Sequence, residues 1–117
     1  MNVLVLNYEF PPLGGGAGRA MRNILRQWRG SSDLNCHVVT SALGEARSES
    51  IAPNIQLNCL DIGKRDAVHH QSVRDLLVYS WKALGVSREL MHEVDFDLCH
   101  AFFGIPCGFI AARLGLP

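Results

Sequence analysis

The fold of this chain is decided by its opening stretch, Asn2-Val-Leu-Val-Leu-Asn7, and by the segment that follows, Tyr8-Glu-Phe-Pro-Pro-Leu-Gly-Gly-Gly-Ala-Gly-Arg-Ala20. The continuous apolar run Val3–Leu6 predicts a strand buried on both faces, as in a parallel sheet covered by helices. The two prolines end the strand, because each lacks an N–H and has a fixed φ. Apolar residues then recur at helical spacing and predict a helix from about Ala17 to Arg29.

A strand, a glycine turn and a helix start in this order can form a cradle for an anion. Gly14, Gly15, Gly16 and Gly18 leave the turn without side chains, so that backbone N–H groups can approach a phosphate. The helix N-terminus adds about +0.5 of an elementary charge. The alternative interpretation is a tight strand-to-helix connection that binds no ligand.

Two common phosphate-binding fingerprints do not fit this turn. In Gly-x-Gly-x-x-Gly the third glycine would fall on Arg19 when counted from Gly14, and on Met21 when counted from Gly16. A P-loop needs Gly-Lys-Ser/Thr, whereas an arginine and an alanine follow Gly18. The sequence therefore argues against both the dinucleotide-binding and the P-loop readings.

Composition narrows the function classes further. The chain has 117 residues, 48% of them hydrophobic, and its 11 basic and 11 acidic residues cancel, so no nucleic-acid partner is indicated. No apolar run reaches the roughly 20 residues of a membrane span, and no signal peptide is recognisable. The four cysteines form no C-x-x-C pair, which favours reduced structural thiols over a metal cluster. We expect a cytoplasmic protein.

Three further strands are predicted downstream. They are Cys36–Thr40, the alternating segment Asn54–Leu60, which we expect at the sheet edge, and Leu98–Phe102. The polar segment Ser41–Pro53 predicts a loop. A long helix is predicted over Val73–Val94. Its expected buried stripe consists of Val73, Leu76, Leu77, Trp81, Leu84, Met91 and Val94.

The order of these elements predicts an α/β fold, a three-layer Rossmann-like parallel sheet with right-handed crossovers. The usual doubly wound arrangement gives the four predicted strands the spatial order 3-2-1-4. Ligands bind such sheets beyond the carboxyl ends of the strands, at the switch point between the first and fourth. The glycine turn and the Phe102-Phe103-Gly104 turn would flank that crevice.

Two motifs in this order and separation resemble a known family. Tyr8-Glu-Phe-Pro-Pro-Leu-Gly-Gly-Gly16 resembles the aromatic-Pro-Pro and Gly-Gly segment that opens the N-terminal domain of GT-B-fold retaining glycosyltransferases of family 4. A strand of the type Asp-x-x-His-x-x-x leading into a small-residue helix is also similar to that family. The matching residues are Asp97, His100, Phe103 and Gly104.

The resemblance implies roles for particular residues. Gly14, Gly15 and Gly16 would contact the diphosphate of a nucleotide-sugar donor through backbone N–H groups. Contacts to the acceptor or to phosphate would come from Arg19, His100, Phe103 and Gly104. A solvated Arg19 and a structural His100 remain the alternatives. Catalytic residues are expected beyond Pro117, and neither a metal nor another cofactor is expected.

By this resemblance, residues 1–117 are an incomplete N-terminal, acceptor-side domain, and the donor-binding C-terminal domain would be its intramolecular partner. The implied function is transfer of a sugar from a nucleotide-diphosphate donor to a glycan, lipid or small-molecule acceptor, with peripheral membrane contact possible. The 117-residue piece alone is expected to be inactive. The alternative is a non-catalytic phosphate- or nucleotide-binding module.

Overall fold

The computed structural model describes the whole chain, Met1–Pro117. Its strands and helices are β1 (Asn2–Leu6), α1 (Gly16–Trp28), β2 (Asn35–Ala42), β3 (Arg47–Ala52), β4 (Ile55–Asp61), α2 (Val73–Glu93), β5 (Leu98–Ala101) and α3 (Phe109–Leu114). The segment Gly104–Gly108 joins β5 to α3 and is kinked at Ile105, whose backbone is extended. None of the helices has both the length and the apolar character that crossing a bilayer requires.

The five strands form one mixed sheet in the order β3-β4-β2-β1-β5. β1 is parallel to β2 and to β5, and β2 is parallel to β4, whereas β3 runs antiparallel to β4. The expected four-stranded, all-parallel order 3-2-1-4 is therefore wrong for this sheet, because a fifth strand extends it. The strand expected at the edge, β4, is an internal strand for the same reason.

The additional strand lies inside the segment that we expected to be a loop. Arg47, Ser48, Glu49 and Ser50 are all exposed, so β3 carries no hydrophobic pattern over most of its length. It forms by pairing its backbone with β4, from Arg47 opposite Cys59 to Ala52 opposite Ile55. A polar edge strand of this kind is held by its neighbour, and charged side chains on an edge discourage pairing with other chains.

Helices cover both faces of the sheet and bury a core on each. One core joins Val3 and Val5 of β1 to Met21 and Leu25 of α1. The other core lies beneath α2 and α3. It includes Leu4, Leu6, Val39, Tyr79, Ala83, Cys107 and Ile110. Because consecutive residues of β1 point to opposite faces, the continuous apolar run of the sequence serves both cores.

The buried face of α2 differs from the stripe that the sequence predicted. Val73, Leu77 and Trp81 are 75%, 65% and 76% exposed. The face that meets the sheet instead consists of Asp75, Tyr79, Ala83 and Ser87. Leu84, Met91 and Val94 of the predicted stripe are nevertheless partly buried against the same core. The Tyr79 hydroxyl donates to the Val39 carbonyl at 2.7 Å and joins this face to the sheet, and a capping box at Ser72 begins the helix.

Candidate functional site

The glycine turn begins at a buried asparagine that follows β1. The Asn7 side chain is fully buried. Its Nδ2 donates to the Ala17 carbonyl at 3.3 Å, and its Oδ1 accepts from the Glu9 N–H at 2.9 Å. A polar residue at this position therefore fixes both ends of the turn, since it satisfies a carbonyl of α1 and an amide of the turn.

Gly14 is the position where the turn requires glycine. Its φ is +79°, and a Cβ there would lie 2.3 Å from Cγ of Glu9, so a side chain would be strained and would displace Glu9. The Gly14 N–H donates to the Val68 carbonyl at 2.6 Å, and Nδ1 of His69 lies 2.9 Å from the Gly14 carbonyl oxygen. The Gly14 amide is therefore committed to the loop that precedes α2.

Glu9 places a carboxylate on the next amide of the turn. Its Oε2 accepts from the Gly15 N–H at 3.1 Å. An anion from the chain itself thus lies at the N-terminus of α1, where the helix dipole favours negative charge. Gly15 and Gly16 have open space around them, because a Cβ built on either would meet no atom within 4 Å.

The first turn of α1 offers three further N–H groups. No side chain caps this helix and its first turn contains no acidic residue. The N–H groups of Gly16, Ala17 and Gly18 have no intrahelical carbonyl to bond, as at any helix start. They take part in none of the hydrogen bonds of the turn. This arrangement of free amides and positive helix end can accept an anion.

A cavity of about 230 Å³ opens beside this turn. Arg19 and Arg22 line it together with His69 and the turn itself. Neither arginine belongs to any of the four ion pairs in the chain. Of the residues expected from the sequence, Gly14, Gly15 and Arg19 are brought together here. The other four, Gly16, His100, Phe103 and Gly104, are not part of the cavity wall.

The loop that holds Gly14 is anchored by a buried ion pair. Nζ of Lys64 lies 3.0 Å from Oδ2 of Asp75, with only 5% and 11% of the two side chains exposed. Lys64 also donates to the His70 carbonyl. Burial opposes ionisation of Asp75, but hydrogen bonds from Ser72 and Lys64 outweigh it and hold its pKa below the ordinary value. This pair thus supports the segment that carries His69 to the turn.

The second turn lies at the carboxyl end of β5, the neighbour of β1. The Phe102 N–H donates to the Leu6 carbonyl at 2.9 Å, which joins the two strand ends. The Phe103 ring stacks on Tyr8 with centroids 4.8 Å apart. The φ of Phe103 is 72°, a conformation that favours glycine and costs about 1–3 kcal/mol for other residues. Strain of this kind is concentrated at functional sites.

His100 and Gly104 complete the expected residues. His100 is partly buried in β5, opposite Val5 of β1, and its ring stacks on Phe102 at 4.8 Å. Gly104 follows Phe103 and is exposed, with open space where a Cβ would be. The two turns therefore occupy the same edge of the sheet, as the strand order requires, with Tyr8 and Phe103 as their point of contact.

The largest cavity lies elsewhere, at the amino ends of the strands. It has a volume of about 440 Å³ and is lined mainly by polar residues, including Asn2, Asn35 and His37. Asn2 and Asn35 are hydrogen-bonded to each other, and Asn2 also bonds Asp95 and Asp97. Since α/β sheets bind ligands beyond their carboxyl ends, we favour the smaller cavity.

Sequence reasoning missed Glu9, Tyr8 and His69. Tyr8 and Glu9 lie two and three residues after the end of β1, and their position next to the turn was a usable signal. Nothing in the sequence placed His69 on the turn, because its contact depends on the path of a loop 55 residues away. No group of three or more histidine, cysteine, aspartate or glutamate side chains is arranged to hold a metal ion.

Comparison with known proteins adds no identification. Neither the models of known protein families nor the curated protein sequences contain a match to this chain.

Proposed function

We propose that this chain is the N-terminal, acceptor-side part of a glycosyltransferase that moves a sugar from a nucleotide-diphosphate donor to an acceptor. The two motifs similar to family 4 motivate this proposal, and retention of the anomeric configuration follows from the same resemblance. The observation that carries it is the set of free N–H groups at Gly16, Ala17 and Gly18, beside a cavity with two unpaired arginines.

The proposed diphosphate contact is more specific than the glycine pattern alone. Gly14 shapes the turn but donates no hydrogen bond to the diphosphate, because its N–H already donates to the Val68 carbonyl. The diphosphate accepts from the N–H groups of Gly16, Ala17 and Gly18, and Gly15 joins them once Glu9 has turned away from its amide. Arg19 adds a positive charge in the first turn, and together these groups counter charge on the leaving diphosphate.

Titration of the labelled chain with inorganic pyrophosphate, followed by NMR of the backbone amides, tests the anion site. We expect the largest shifts at Gly16, Ala17 and Gly18, and a loss of these shifts in Gly15→Val, whose side chain would enter the diphosphate path. Gly85→Ala on the exposed side of α2 is the matched glycine control and should bind normally. The absence of shifts at millimolar pyrophosphate would argue against the anion site.

Sugar transfer is tested in a chain that joins these residues to a donor-binding domain. We expect Gly15→Val to lose most transfer while its melting temperature stays close to that of the parent, since the Gly15 Cβ position is open. Unchanged turnover would contradict the role of the glycine turn. Pyrophosphate binding without transfer in any such protein would favour the non-catalytic module.

A further inference from the structure

A second cavity, of about 220 Å³, runs along α1 towards β3. Its floor contains Phe10, Leu25 and Ile51, and its rim carries Arg22, Arg26 and Arg29. We refer to these six residues as the arginine groove.

The rim of the arginine groove carries three positive charges that form no ion pair. Arg22, Arg26 and Arg29 are all exposed. Arg22 and Arg26 lie one turn apart on α1, and Arg29 directly follows the last residue of the helix. The four ion pairs of the chain involve none of them, and α1 itself contains no acidic residue. Because the chain as a whole is neutral, this is a concentration of positive charge on one face.

The floor of the arginine groove is apolar. Leu25 belongs to the core beneath α1, and Phe10 and Ile51 pack against that core while remaining partly exposed. Arginine side chains present apolar stems below their charged ends, so the rim also contributes apolar wall. The groove, at about 220 Å³, is smaller than the roughly 300–1,000 Å³ of sites that enclose a whole small molecule. Its size therefore suits one end of an alkyl chain.

The arginine groove is continuous with the candidate site. Arg22 lines both this groove and the cavity beside the glycine turn. Phe10 belongs to the same strand-to-helix turn as Gly14. Arg22 is thus the point where the groove adjoins the candidate site, whereas Arg26 and Arg29 lie at the carboxyl end of α1.

We propose that the arginine groove binds an anionic phospholipid, with the headgroup phosphate on the arginines and an alkyl chain on the apolar floor. The proposal depends on both the apolar floor and the charged rim. Exposed arginines alone are typical of a solvated surface, and an apolar cleft alone would favour an uncharged ligand. The further assignment of this lipid as the sugar acceptor rests on the proposed function, whereas the binding itself does not.

Three water-soluble probes separate the contribution of the charged headgroup from that of the alkyl chains. They are dihexanoyl phosphatidic acid, glycerol 3-phosphate, which has no alkyl chain, and dihexanoyl phosphatidylcholine, which has no net charge, each below its micellar concentration. We expect the phosphatidic acid to bind about ten-fold or more tightly than either of the other probes by calorimetry. The double substitution Arg26→Gln/Arg29→Gln should weaken this binding about ten-fold or more. The matched control, Arg88→Gln/Arg113→Gln, removes the same charge from α2 and α3 on the opposite face and should bind as the parent does.

Several outcomes would overturn the proposal. Equal binding of glycerol 3-phosphate would identify a free-phosphate site, and equal binding of phosphatidylcholine would identify a purely apolar cleft. If Arg88→Gln/Arg113→Gln weakens phosphatidic acid binding equally, the effect comes from the net charge of the chain and not from the groove. The pyrophosphate titration distinguishes failure of the lipid proposal from failure of the proposed function. If phosphatidic acid binds but pyrophosphate shifts no amide signal at Gly16, Ala17 and Gly18, the lipid site stands and the transferase assignment is contradicted.

Discussion

The rings of Tyr8 and Phe103 stack with centroids 4.8 Å apart and an angle of 25° between their planes, although 95 residues separate them along the chain. Tyr8 also meets Tyr79 edge-on at 6.2 Å. Burial raises the pKa of the Tyr8 phenol, with a further contribution from Glu9, so the ring stays neutral at physiological pH. This stack is the direct contact between the two turns of the candidate site.

The stack predicts energetic coupling between the two turns. In a double-mutant cycle with Tyr8→Leu and Phe103→Leu, we expect an interaction free energy of about 0.5–1.5 kcal/mol, because the stacked geometry contributes beyond area burial. Urea unfolding measures it. Pairing Tyr8→Leu with Trp81→Leu, an exposed ring on α2, should give additive changes. Additivity in the first pair as well would show that the stack contributes nothing.

Two glycines should respond in opposite ways to alanine. Gly14→Ala should lower the free energy of unfolding by about 1–2 kcal/mol or more, because its φ is +79° and the new Cβ would overlap Glu9. Gly85→Ala should raise it by about 0.5–1 kcal/mol, because the position is exposed within α2 and its Cβ meets nothing. Thermal and urea unfolding report both, and equal effects at the two sites would contradict the described turn.

The Lys64–Asp75 pair predicts a loss of stability in acid. The pKa of Asp75 in the folded chain lies below its ordinary value of 3.8, so the folded state favours the carboxylate. Its contribution is present above pH 3.8 and is lost as the pH falls through the lower, folded-state pKa. Urea unfolding between pH 7 and pH 2 measures this slope. In Asp75→Asn the same range should show a shallower dependence, and an identical slope would rule the pair out as its source.

The cysteines should react slowly in the folded chain. Burial raises the pKa of Cys36 and of Cys107 to about 12 and that of Cys99 to about 11, and it also raises the pKa of Cys59. Because the thiolate is the reactive form, an aromatic disulfide reagent at pH 8 should find little of it. All four thiols should react promptly once guanidinium unfolds the chain. A fast reaction at Cys36, Cys59 or Cys107 in the native protein would contradict their burial.

The sequence by itself determined β1, the glycine turn and α1, but not the strand order of the sheet, which the additional strand β3 changes. These features depend on local chemistry: a continuous apolar run, prolines that end a strand, and glycines that leave amides accessible. It also located the second turn, since Phe103 and Gly104 directly follow a strand. The ligand roles of these residues stay predictions.

Tertiary structure alone decided which surfaces are paired or buried. β3 is polar along most of its length and exists because β4 offers it a backbone partner. On α2 the face that meets the sheet includes the polar residues Asp75 and Ser87, and the Tyr79 hydroxyl on that face donates to the Val39 carbonyl, so apolar periodicity alone did not identify it. The hydrogen bond that the Gly14 N–H donates to the Val68 carbonyl likewise depends on how separate segments meet. Periodicity shows that a segment has an apolar side, but only long-range packing determines what covers it.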